Sequence, residues 1–193
     1  SRNFRLQKVG DFTWLTKNYD IENITNFIDE LAIIDLSPKK NKSKFLNVIK
    51  KISKKAFIPI ATGGGIGGHK DVEDILDSGS DKIIVNSLFF EKPLLCKDIS
   101  DKYGRQFLVG SLDYKYFGKK IKILNSLKKK FYDCDINYWI NHLIKNGAGE
   151  ILLQSIDKDG TGMGLDKKIL KKFKKKQVPI ILMGGFGNYE HML

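Results

Sequence analysis

The chain has 193 residues, 41% of them hydrophobic, which suits one globular domain with a sizeable core. No apolar run nears the roughly 18 residues that span a membrane, and Ser1 to Val9 lacks the apolar stretch of a secretory signal, so no membrane is expected. The net charge of +12 does not by itself imply nucleic acid. Its lysines fall in stretches such as Lys50–Lys55, Lys128–Lys130 and Lys167–Lys176, mixed with or flanked by Leu, Ile and Phe as on a solvated helix face. No nucleic-acid motif accompanies them, and none is expected to bind.

In chain order the pattern predicts a helix over Glu22–Glu30, a strand over Leu31–Asp35, a helix over Ser43–Lys55 and a strand over Ile58–Thr62. A helix over Lys70–Asp77, a strand over Lys82–Asn86, a helix over Pro93–Lys102 and a strand over Phe107–Asp113 follow. Lys119–Leu124 reads as a small hairpin or loop excursion. Then come a helix over Ile136–Lys145, capped by Asp135 and closed by Gly147, a strand over Glu150–Gln154, a helix over Lys167–Lys175 and a strand over Pro179–Met183. The strands are nearly continuous apolar runs, as in parallel sheets buried on both faces. The alternation predicts an α/β fold.

An internal repeat favours a closed barrel over an open sheet. Ile58-Pro59-Ile60 lies 120 residues before Val178-Pro179-Ile180; at that shift Gly64-Gly65 falls on Gly184-Gly185, and Glu30 on Glu150. Four βα units per half, written twice, approach the ~250 residues of a (β/α)8 TIM barrel. The strand ending at Asp113 would have its counterpart upstream of Ser1, and Lys82–Asn86 would have one beyond Leu193. The expectation is a single barrel domain over residues 1–193 of two half-barrel repeats, with its first and last strands outside this sequence.

In such a barrel the active face lies at the C-terminal strand ends. Glycines there let backbone N–H groups approach an anion closely. Gly64 and Gly65, with Asn86 and Ser87, suit one phosphate; Gly184 and Gly185, with Asp159, Gly160 and Thr161, suit a second. Together they imply a small molecule with a phosphate at each end. Asp113 is placed to act as general acid or base, or else as a structural aspartate bonded to loop amides. At the other face Glu30, Lys82 and Glu150 start alternate strands. They form either a salt-bridge plug or a gate for a small polar molecule. Cys96 and Cys134 fit no disulfide or metal spacing and read as reduced thiols, which points to the cytoplasm. His69, His142 and His191 form no metal spacing, so neither metal nor cofactor is expected.

The stretch from Gly147 to Thr161, Gly-Ala-Gly-Glu-Ile-Leu-Leu-Gln-Ser-Ile-Asp-Lys-Asp-Gly-Thr, resembles the cyclase subunit of imidazole glycerol phosphate synthase. Asp29-Glu30-Leu31, Gly63-Gly64-Gly65-Ile66 and Asp81-Lys82 with Asn86 support the resemblance. It implies a lyase of histidine biosynthesis with a separate glutaminase subunit at the barrel floor, forming a heterodimer, and ammonia passing through the interior. It further implies that Glu30, Lys82 and Glu150 are gate residues, Asp113 a catalytic aspartate and Lys8 the lysine of a mobile loop. A second catalytic aspartate would lie just before Ser1. Gln154, Met183 and the segment Leu124-Asn125-Ser126-Leu127-Lys128 depart from the family wording, all on the mouth side. They leave open an ammonia-conducting relative that serves a sugar amidotransferase in surface-polysaccharide synthesis.

Overall fold

The computed structural model describes Lys17 and residues 20–37, 39–133, 135–173 and 178–192. Lys8 and Cys134 lie outside them. The fold is α/β of the TIM-barrel type, with parallel strands alternating with helices. Contacts divide the described residues into two compact units, one running to Val85 and the other from Asn86.

The first unit carries three parallel strands: β1 (Leu31–Ile34), β2 (Ile60–Gly63) and β3 (Lys82–Val85), with Leu31 beside Ile60 and Ala61 beside Lys82. Helix Lys42–Ser53 joins the first two. The Asn41 side chain accepts from the Lys44 amide to cap it, a contact of about 1 kcal/mol. Phe45, Val48, Ile49 and Ile52 are buried at helical spacing while Lys50 and Lys51 are exposed, so this lysine run is a solvated face.

In the second unit β4 (Leu108–Phe117) runs parallel to β7 (Glu150–Ser155), and β7 parallel to β8 (Ile180–Met183). Helix Ile136–Lys145 is capped by Asp135, which accepts from the Asn137 amide at 3.0 Å, and buries Ile136, Trp139, Ile140 and Leu143. Full burial of a residue such as Leu143 contributes about 2 kcal/mol. Cys96, on helix Pro93–Tyr103, is a fully buried free thiol, pushed up to about 12 by burial. No described helix is long and apolar enough to cross a membrane.

The repeat is visible in the register. Leu31 sits beside Ile60 as Ile151 sits beside Ile180. The Leu31 amide donates to Pro59 O at 3.0 Å, and the Ile151 amide to Pro179 O at 3.0 Å.

Four expectations change. The helix expected over Glu22–Glu30 is only Ile21–Ile24, because the Thr25 hydroxyl turns back onto Glu22 O and the chain turns at Thr25 and Asn26. Of the helix expected over Lys167–Lys175, the described residues form a 3-10 helix, Lys167–Lys172, with only Ile169 buried, and residues 174 and 175 lie outside the described residues; a run of lysines gives an α-helix little to bury and like charges to separate. The strand expected to end at Asp113 continues to Phe117, because it pairs antiparallel with β5 (Lys120–Asn125), which pairs in turn with β6 (Lys130–Tyr132). Finally, Asn86 and Ser87 do not end a strand. Asn86 occupies the N-cap position of a short helix, Ser87–Glu91, that the apolar run Leu88-Phe89-Phe90 extends without a break.

Candidate functional site

The pairs β1–β2 and β7–β8 each end in a glycine turn of the same build. After β2, Gly64 has φ of 107° and an added Cβ would meet Asp35 O at 2.5 Å. After β8, Gly184 has φ of 99° and an added Cβ would meet Ser155 O at 2.8 Å. Asp35 and Ser155 are themselves related by the repeat, so one backbone bend packed on one preceding strand end occurs twice. Only glycine combines a left-handed φ with so close an approach.

Around the first turn, Asp35, Lys40, Lys42, Gly64, Gly65 and Asp71 line a small cavity of about 50 Å³. Lys40 lays its stem along Gly65 and brings its ammonium to the Asp35 carbonyl at 2.6 Å and the Asp35 carboxylate at 3.4 Å. The next helix, His69–Asp77, begins at the Gly68 N-cap. There the Asp71 carboxylate accepts from the Gly67 amide at 2.8 Å and pairs with Lys42. Burial works against the charge on Asp71, but the Lys42 ammonium and the backbone amides hold its carboxyl below the ordinary range. Asp71 thus reaches back to the amide just before the N-cap and ties the glycine turn to the first turn of the helix.

Around the second turn the cavity is wider, about 600 Å³, and is lined by Asp159, Gly160, Thr161, Gly162 and Gly184–Gly187. Its wall is tied by the Gly164 amide to Gly185 O at 2.7 Å and by the Asp159 amide to Ser155 O at 2.9 Å.

Asn86 and Ser87 open the second unit. Both Oδ1 and Nδ2 of Asn86 are buried without a hydrogen-bond partner among the described residues, although the residue stands at a helix N-cap position where such a side chain ordinarily bonds an amide. An unmade buried hydrogen bond costs roughly 1–3 kcal/mol. An amide held in that state is suited to an external polar group.

Asp113 lies on β4 with Gln154 of β7 beside it, and its Oδ2 accepts from the Ser126 hydroxyl at 2.5 Å. Burial raises its carboxyl above the ordinary range, the Ser126 bond pulls it back, and the Asp159 carboxylate adds to the rise. Gln154 Nε2 reaches Asp159 Oδ2 at 3.5 Å. Asp113 is therefore linked through Gln154 to the wall of the second cavity.

Two further contacts shape this end. Tyr114 and Tyr116 donate to the same Asp166 oxygen at 2.8 and 2.9 Å, and the Tyr116 amide donates to Asp157 at 2.8 Å. Burial first, then the Asp166 charge, pushes both phenols upward, so they remain donors. They pin the long loop after β7 to the hairpin that continues β4. The sequence offered no local signal for this, since Tyr114 and Asp166 meet only once β4 extends past Asp113. Ser126 stood out in the sequence only as part of the segment Leu124-Asn125-Ser126-Leu127-Lys128 that departs from the family wording, with no role attached.

At the opposite strand ends, Glu30 and Lys82 meet at 2.7 Å, one just before β1 and one opening β3, with side chains 28% and 19% exposed. Glu150 opens β7 in the other unit, beside Val109.

A family model described as "Histidine biosynthesis protein" matches residues 7–193. A protein of Parasynechococcus marenigrum provisionally named imidazole glycerol phosphate synthase subunit hisF2 is 39% identical over 197 residues, covering 100% of this chain and 72% of the relative. The imidazole glycerol phosphate synthase subunit HisF of Pyrococcus furiosus is 33% identical over 190 residues, covering 97% and 74%. That of Exiguobacterium sp. is 31% identical, covering 98% and 73%.

Proposed function

The chain belongs to the histidine biosynthesis protein family, among the imidazole glycerol phosphate synthase cyclase subunits, and from that premise we propose that it is the ammonia-using subunit of a glutamine amidotransferase. Ammonia released by a separate glutaminase, its partner in a heterodimer, attacks a bis-phosphorylated ribulosyl aminoimidazole carboxamide intermediate. The products are imidazole glycerol phosphate and aminoimidazole carboxamide ribotide. One observation carries the reading: the same glycine bend, packed on the same preceding strand end, is built twice, as a substrate with two phosphates requires. Gly64 and Gly65 take one phosphate with Asn86 and Ser87; Gly184 and Gly185 take the other with Asp159 and Gly160. Asp113 moves the proton. Lys8 is assigned to the substrate. The protein works in the cytoplasm.

The direct test supplies the protein with ammonium salt and that intermediate. Formation of imidazole glycerol phosphate supports the reading, and absence of turnover overturns it. Glu30, Lys82 and Glu150 are assigned to the ammonia gate, which gives a second expectation. Lys82→Met should lower glutamine-driven turnover of the reconstituted complex while leaving ammonium-driven turnover near the wild-type level. A partly exposed pair of this kind contributes only about 1 kcal/mol to folding, so the two assays compare proteins of similar stability. Equal loss in both would remove these residues from ammonia delivery.

A second reading is favoured by Gln154, whose amide faces Asp159 at the mouth. On that reading the barrel conducts ammonia to a sugar amidotransferase in surface-polysaccharide synthesis. It predicts no cyclisation of the intermediate, with glutaminase stimulation retained.

A further inference from the structure

We infer that Ser126 is a positioning residue for the Asp113 carboxylate, held by a turn that Glu91 clamps. The inference rests on the reading of Asp113 as the reacting carboxylate.

The turn between β5 and β6 is ordered by the fully buried Asn125. Its Oδ1 accepts from the Leu127 and Lys128 amides, each at 3.1 Å, and its Nδ2 donates to Glu91 Oε1 at 2.9 Å. Lys128 closes the clamp on the other Glu91 oxygen at 2.8 Å. Glu91 is the last residue of helix Ser87–Glu91, so the turn is fixed to an element distant in sequence. β5 also lies against β4, with Leu124 opposite Asp113. Ser126 is the next residue but one along the chain, and its hydroxyl is thereby set on Asp113 Oδ2 at 2.5 Å, within the range of a hydroxyl bonded to a carboxylate. The serine itself is exposed, so packing does not explain its placement.

Such a contact does two things. It fixes the carboxylate rotamer by occupying Oδ2, leaving Oδ1 as the oxygen that meets substrate. It also favours the charged form of a carboxyl that faces burial and the Asp159 charge from the loop after β7, with the neutral Gln154 beside it. Without the hydroxyl, the carboxyl is free to rotate and retains its proton to higher pH.

The test compares Ser126→Ala, Ser126→Thr, Glu91→Ala and Asp113→Asn in the ammonium-driven assay across pH. Ser126→Ala is expected to lower kcat roughly tenfold, with KM nearly unchanged, and to move the limb that reports Asp113 to higher pH. Ser126→Thr keeps a hydroxyl and should restore both, while Glu91→Ala should give a part of the Ser126→Ala effect. If Asp113→Asn is inactive but Ser126→Ala matches the wild type in kcat and limb, the positioning role is overturned and the reading of Asp113 stands. If Asp113→Asn keeps full turnover, that reading falls and the positioning role with it. A kcat loss that threonine does not restore, with the limb unmoved, marks Ser126 as merely structural and also overturns the inference.

Discussion

Replacing Asp113 with asparagine is expected to lower ammonium-driven turnover by roughly a hundred- to ten-thousand-fold, the range of a lost general acid or base. Asparagine keeps an oxygen for the Ser126 hydroxyl, so the local geometry survives while the exchangeable proton is lost. The stability change has a defined sign. Burial holds the Asp113 carboxyl above its unfolded value, so its favourable contribution is complete in acid. That contribution is lost as pH rises from the ordinary carboxylate range through the elevated folded value. Above that folded value the wild type holds a disfavoured charge that asparagine does not, and there Asp113→Asn should melt at the same temperature or higher. An inactive variant that melts well below the wild type would instead identify Asp113 as a structural aspartate.

The second large effect is at the first glycine bend. Gly64→Ala places a side chain at a φ of 107°, which costs on the order of 1–3 kcal/mol in backbone strain. The new Cβ would also sit 2.5 Å from Asp35 O and 3.0 Å from Asp35 N and Cβ, backbone and near-backbone atoms that cannot swing aside. Overpacking adds a comparable amount, so a loss of about 3 kcal/mol or more is expected in urea unfolding. Gly65→Ala provides the contrast. Its φ of 74° is strained too, but its nearest neighbours are stem carbons of Lys40 at 3.7 and 3.8 Å, an ordinary contact. It should lose about 1–2 kcal/mol from strain alone. Equal losses would show that the approach to Asp35 does not govern the bend.

These two sites were legible in the sequence to different depths. A duplication leaves its mark on every residue the backbone constrains, and so the prolines before β2 and β8 and the glycines after them coincided at one shift. Continuous apolar runs identified the parallel strands because sheets covered on both faces demand them. Asp113 was expected at a strand end, but β4 runs four residues past it through pairing with β5, and its environment comes from that hairpin. Ser126, Asn125 and Glu91 come together through a hairpin and a five-residue helix, and a helix that short carries no periodicity to read. Asp166 accepts two tyrosine hydroxyls from a strand 50 residues earlier, a match that only tertiary structure makes. The Lys167–Lys175 run looked helical by composition alone; composition carried no measure of how little it buries.

The sealed cysteine gives the fold a built-in clock. A thiol with no exposed surface and its proton held up to about 12 offers almost no thiolate to an alkylating reagent. Modification must then wait for helix Pro93–Tyr103 to lift from the body, and the labelling rate of Cys96 reports how often that opening occurs.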